Sequence, residues 1–181
     1  MLFMGEEWNT RRPFQFFCDF GDELAEAVRN GRREEFARFP EFSDPQQRHR
    51  IPDPQADSTF ESARLDWSAI DAEPHSQWLA WYRRILAVRR ESIVPLVPRI
   101  GPNAGRHRAL GDRAVEVRWR LDGGGELALA ANLSASPVSG FAPGQGRLMW
   151  CERTRGDART LDGWAVRWSL EDGGRDDGAR P

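Results

Sequence analysis

The residues best suited to chemistry stand at the start of the sequence, where Met1-Leu2-Phe3-Met4-Gly5 hands over to Glu6, Glu7 and Trp8. Two carboxylates can serve general acid and base work, and an indole offers an apolar face to a ligand. An apolar run that stops at a glycine and then delivers polar groups is how a buried parallel strand meets the mouth of an α/β barrel. Adjacent residues leaving a strand point in opposite directions, so at most one of Glu6 and Glu7 reaches a given substrate. Two readings stand for that glutamate: it lines a cleft, or it pairs with Arg11 or Arg12. Two stand for Trp8 as well: its ring meets a ligand, or it packs under the loop that follows. A strand buried on both faces needs a neighbour on each side and none precedes this one, so the sequence is expected to be the closing piece of a larger protein.

Composition narrows the remaining chemistry. With 181 residues, 39% hydrophobic and 30% charged, the chain has material for one good core or two small ones. All 26 basic residues are arginines, a bias that fits a GC-rich genome, and the formal net charge of -2 favours neither nucleic acid nor an anionic membrane. The arginines are interleaved with acids, which argues further against nucleic acid. Cys18 and Cys151 are far apart, and His49, His75 and His107 are scattered, so no metal site and no disulfide are expected. No cofactor is expected either. The Met1 to Met4 run is too short for a signal segment, no apolar run approaches a membrane span, and a cytoplasmic protein is expected.

The elements that must position these residues follow from hydrophobic period. Asn9 to Phe20 carries Pro13 and then Phe14, Phe16, Phe17 and Phe20, and reads as a long loop whose rings pack beneath it or line a cleft. Asp22 to Phe39 reads as a helix, with Gly31 marking a break or a close approach. Glu41 to Asp57 reads as an extended loop, followed by a short helix over Ser58 to Ala63. The clearest helix is Pro74 to Arg90, where Trp78, Trp81, Tyr82, Ile85 and Leu86 form a stripe expected to pack on a sheet.

A composition shift over 94–105 marks a linker. Beyond it the period becomes two. Ala114 to Leu121 and Glu126 to Leu133 read as a hairpin joined by Asp122-Gly123-Gly124-Gly125, with further strands at Arg147 to Cys151 and Trp164 to Leu170. The Asn132-Leu133-Ser134 sequon is given no meaning, and residues 171–181 are expected to be a disordered tail.

Five stretches together carry a family resemblance: Leu2 to Trp8; Pro13-Phe14-Gln15-Phe16-Phe17; Ala27 to Phe36; Ile51-Pro52-Asp53-Pro54-Gln55; and Thr59-Phe60 with Leu65-Asp66-Trp67. They resemble the closing section of α-amylase-superfamily glycoside hydrolases, more specifically the malto-oligosyltrehalose trehalohydrolases. The resemblance implies an α+β fragment: the last strand and helix of a (β/α)8 barrel with long loops over 1–93, then the 94–105 linker and a small antiparallel β-sandwich-like domain over 106–170.

It also implies a retaining enzyme that releases trehalose from malto-oligosyltrehalose, with a malto-oligosaccharide as the alternative ligand class. The three catalytic carboxylates of such enzymes belong to earlier strands, so no residue of this chain inherits a catalytic role. Retaining chemistry requires two carboxyls roughly 5–5.5 Å apart on different sides of the bond, which neighbours such as Glu6 and Glu7 do not provide. What remains for Glu6, Glu7 and Trp8 is contact with substrate at the rim. The other function class is a stand-alone, non-catalytic glucan-binding or scaffold module.

Overall fold

The computed structural model describes residues 1–40, 51–153 and 159–173. The chain divides into two compact units, Met1–Arg83 and Arg84–Pro181. The boundary therefore falls inside a helix and not in the proline-rich stretch expected to be the linker.

The first unit holds helix α1 (Asp22–Phe36), helix α2 (Asp57–Ala63) and the start of helix α3 (His75–Val88). Its opening differs from the expected strand: Met1 to Phe3 pair with nothing in a ladder, and Glu6–Trp8 form a single 3-10 turn. A parallel strand exists through hydrogen bonds to its neighbours, and the first unit contains no strand among its described residues. The apolar side chains of Leu2, Phe3 and Met4 consequently lie exposed. Helix α1 runs unbroken through Gly31, around which there is open space, so the glycine marks neither a break nor a close approach.

Two loops that are remote in sequence dock side by side in this unit. The Cys18 N–H donates to the Pro54 carbonyl at 2.8 Å, and the Phe20 N–H donates to the Gln55 side chain at 3.2 Å. Ser62 of α2 donates to Gln15 at 3.1 Å. Asp53 anchors the junction: it accepts from the Gln55 N–H at 3.0 Å and from Arg29 of α1 at 2.9 Å, while its carbonyl accepts from the buried Thr59 hydroxyl. The Gln55 N–H foremost, and Arg29 beside it, hold the Asp53 carboxyl below the usual range. Residues 41–50 of the expected long loop, with His49, lie outside the described residues.

The Phe-rich loop keeps its rings at the surface. Phe14, Phe16, Phe17 and Phe20 are all exposed, and the rings meet edge to face, with Phe3 to Phe14 and Phe17 to Phe60 each at 5.0 Å between centroids. Helix α3 buries none of its residues; among the described residues of the first unit there is no sheet for Trp78, Trp81 and Tyr82 to pack on, and these rings meet one another instead.

In the second unit α3 gives way to a π-helical turn at Arg89–Ile93 and a 3-10 turn at Val94–Arg99. Among the described residues seven strands follow: β1 (Gly105–Ala109), β2 (Ala114–Arg120), β3 (Gly125–Asn132), β4 (Val138–Ser139), β5 (Arg147–Glu152), β6 (Thr160–Leu161) and β7 (Val166–Asp172). They form an antiparallel sheet in the order β1-β2-β3-β7-β5 and a two-stranded sheet, β4-β6. The β2–β3 hairpin turns on Gly123, Gly124 and Gly125, all at positive φ.

Each face of the larger sheet has its own apolar cluster. Leu96, Leu121, Leu127 and Leu170 are buried on one, with Trp119 and Trp168 stacked at 5.7 Å; Ala114, Ala130, Phe141, Leu161 and Ala165 form the other, against the smaller sheet. The stretch read as a linker thus contributes to a core: Ile93, Leu96 and Ile100 recur on one side of the turns despite the prolines between them. Glu171 and Asp172 complete β7, while residues 174–181 of the expected tail lie outside the described residues.

Candidate functional site

The site is built around the opening turn. Gly5 enters it at φ 81°, and a Cβ there would stand 2.5 Å from the Thr10 methyl and 2.9 Å from Leu65, so only glycine fits. The turn sends Glu6, Glu7 and Trp8 in different directions. Trp8 goes inward: it is 3% exposed, and its ring lies 5.0 Å from that of Trp67, which is 66% exposed. The His75 ring nitrogen meets the Trp8 carbonyl at 2.8 Å, fixing the start of α3 to the turn.

Glu6 goes outward and is held at both oxygens. It accepts from the Phe3 N–H at 3.0 Å and from the Tyr82 hydroxyl at 2.9 Å. These two bonds, the backbone one first, hold its carboxyl below the ordinary range. A general acid needs the opposite, a proton retained near neutral pH. Burial first and Glu6 second push Tyr82 up to about 12, so its phenol remains a donor. Glu7 is half-buried and makes no hydrogen bond or ion pair to a described residue, and neither glutamate pairs with Arg11 or Arg12.

Beside the turn lies an apolar cleft of about 320 Å³ whose lining includes Phe3, Glu6, Arg12, Phe14 and Leu65. The arrangement provides hydrogen-bond acceptors and aromatic surface. The described residues contain no cluster suited to a metal ion.

The structure gathers what the sequence left separate. Tyr82 had been assigned to packing alone, yet its hydroxyl is the partner of Glu6. The available signal was chemical, since a half-buried tyrosine hydroxyl ordinarily finds an acceptor. Gln15, Asp53, Gln55 and Thr59, which carry part of the family resemblance, support the loops beside this turn.

Comparison with known proteins gives these stretches a context. Residues 102–168 match a family model described as a domain of unknown function, DUF3459. A malto-oligosyltrehalose trehalohydrolase from Mycobacterium tuberculosis is 34% identical over 161 residues, 88% of this chain and 26% of the relative. One from Deinococcus radiodurans is 37% identical over 74% of this chain and 21% of its own, and one from Arthrobacter ramosus is 49% identical over half of this chain and 15% of its own. A crystal structure from Salmonella typhimurium with a provisional alpha amylase description superimposes with a TM-score of 0.81 at 33% identity, over 93% of this chain and 27% of that one. The chain spans about a quarter of the length of the first two relatives and of that structure.

Proposed function

The chain belongs to the malto-oligosyltrehalose trehalohydrolase family, and from that premise we propose that it serves as the C-terminal section of an enzyme that releases trehalose from malto-oligosyltrehalose. In that reading the whole enzyme hydrolyses the α-1,4 bond next to the terminal trehalose unit in the cytoplasm, and this section alone hydrolyses nothing. The observation that carries the reading is the exposed apolar face of the first unit: Leu2, Phe3, Met4, Phe14 and Phe17 form a surface that water does not favour and that the remainder of a barrel would cover. The identity of the relatives supports it along most of the chain.

Within the assembled enzyme, one of the two glutamates contacts sugar hydroxyls at the rim as an acceptor, and Glu6, which lines the cleft, is the one placed for it. Trp8 acts from beneath, as the buried support of the exposed Trp67 ring. The test is incubation of the 181-residue chain with malto-oligosyltrehalose. The expected result is no trehalose above background, and sustained release would overturn the claim of inactivity.

A second reading, a glucan-binding module acting by itself, is favoured by the second unit, whose two apolar clusters are drawn from its own residues. A single cooperative melt of the isolated chain together with saturable maltodextrin binding would select it.

A further inference from the structure

Strand register brings Arg106, Arg108, Arg118, Arg120 and Arg167 onto one face of the larger sheet, together with Glu116, Glu126 and Glu171. Arg106 stands directly across from Arg118, and Arg108 from Glu116, which in turn faces Ala130 and then Arg167. Like charges directly opposite each other across two strands repel. Here Arg106 and Arg118 share one carboxylate, that of Glu126, to which Arg106 donates at 2.6 Å and Arg118 from its own Nη1. Arg108 donates to Glu116 through Nε and Nη2, and Glu116 also accepts from the Ala142 N–H. Both carboxylates are nearly buried beneath the guanidiniums, with side-chain exposures of 10% for Glu126 and 9% for Glu116.

At the concavity three arginines, Arg106, Arg108 and Arg118, stand over the carboxylates of Glu116 and Glu126, which leaves a local excess of positive charge on a chain whose formal net charge is -2. Arg106 and Arg118 each spend one nitrogen on Glu126, so the remaining N–H groups of both forks have no partner among the described residues. These arginines open on a concavity of about 350 Å³ lined by Arg106, His107, Arg108, Glu116, Arg118 and Ala142. Forked donors converging on a concave surface with surplus charge are matched by a tetrahedral oxyanion, which accepts from two guanidiniums at once.

We propose that this concavity is a binding site for a small dianionic oxyanion, either inorganic phosphate or a phosphate monoester. The bound anion would relieve the Arg106–Arg118 repulsion that Glu126 only partly offsets.

Calorimetric titration of the whole chain with inorganic phosphate and with methyl phosphate, at constant ionic strength set by chloride, tests the proposal and separates the two sources. Saturable one-to-one binding is expected for at least one of them. Arg106→Gln should weaken it by about tenfold, whereas Arg147→Gln on the opposite face should leave it unchanged. Arg106 is 66% exposed at its side chain, so its replacement should not lower the melting temperature measured without phosphate. Glu126→Gln should tighten binding, because it removes the carboxylate that competes for both forks. No saturable binding over chloride, or equal weakening by Arg147→Gln, would overturn the site. Binding of a single-stranded oligonucleotide without binding of either phosphate would also overturn it, in favour of a polyanion surface.

Discussion

The hydroxyl of Tyr82 donates to Glu6 Oε1 at 2.9 Å, joining the middle of α3 to a turn 76 residues earlier. The contact decides what Glu6 can do. A carboxylate held by a phenol and a backbone N–H stays ionised, so it can accept from a sugar hydroxyl but has no proton to give a leaving group.

The contact is directly observable, because Tyr82 is the chain's single tyrosine. Its phenolate absorbance should rise with a midpoint near 12 and not near the ordinary 10. Glu6→Gln should lower the midpoint without restoring it fully, since burial is the larger cause. Because the folded pKa is raised, the linked stability is fully present below pH 10 and is lost as pH rises through about 12. Glu6 has the opposite sign: its folded pKa lies below 4.5, so its contribution is present above 4.5 and is lost as pH falls through the folded value. A midpoint at 10 in the folded chain would contradict the contact.

Gly31 sits in the interior of α1 with open space around the position of a Cβ. Gly31→Ala should therefore stabilise α1 by about 0.5–1 kcal/mol through the smaller backbone entropy of alanine. Denaturant titration followed by far-UV circular dichroism checks this; a lower midpoint would show that the glycine has another role.

Asn132 is 0% exposed, and its amide organises the end of the β domain. Its Nδ2 donates to the carbonyls of Ser136, Leu161 and Asp162, and its Oδ1 accepts from the Ser134 N–H and hydroxyl. Asn132→Ala orphans buried carbonyls and should cost about 3 kcal/mol. Asn132→Asp should be at least as damaging, because it sets a carboxylate against three carbonyl oxygens. Chemical denaturation followed by tryptophan fluorescence measures both. The same burial explains why the Asn132-Leu133-Ser134 sequon has no bearing on the folded protein: its amide is already fully engaged.

How much was legible in the sequence depended on the range of the interactions. The β2–β3 hairpin was readable because alternation at Val115, Val117 and Trp119 and a run of glycines are local signals. The helix at α3 was readable from its stripe for the same reason. The opening run was legible as a segment made to be covered, and Leu2, Phe3 and Met4 do lie exposed; a local apolar run does not encode what covers it. The 94–105 stretch misled because proline and glycine content outweighed the spacing of Ile93, Leu96 and Ile100. The junction joins Phe20 and Cys18 to Gln55 and Gln15 to Ser62, residues 35 to 47 positions apart, and no local period encodes that. The arginine face needed strand register: in sequence the arginines alternate with acids, and only pairing places Arg106 opposite Arg118.

In the proposed reading this chain closes a trehalohydrolase and contributes positioning and not the catalytic carboxylates. The most direct measurement joins the N-terminal part of the Mycobacterium tuberculosis relative, the portion preceding the aligned segment, to this chain, and assays the fusion on malto-oligosyltrehalose. Trehalose release by the fusion, with none from this chain alone, is the predicted result; a folded fusion that releases none, or release by the chain alone, would contradict it.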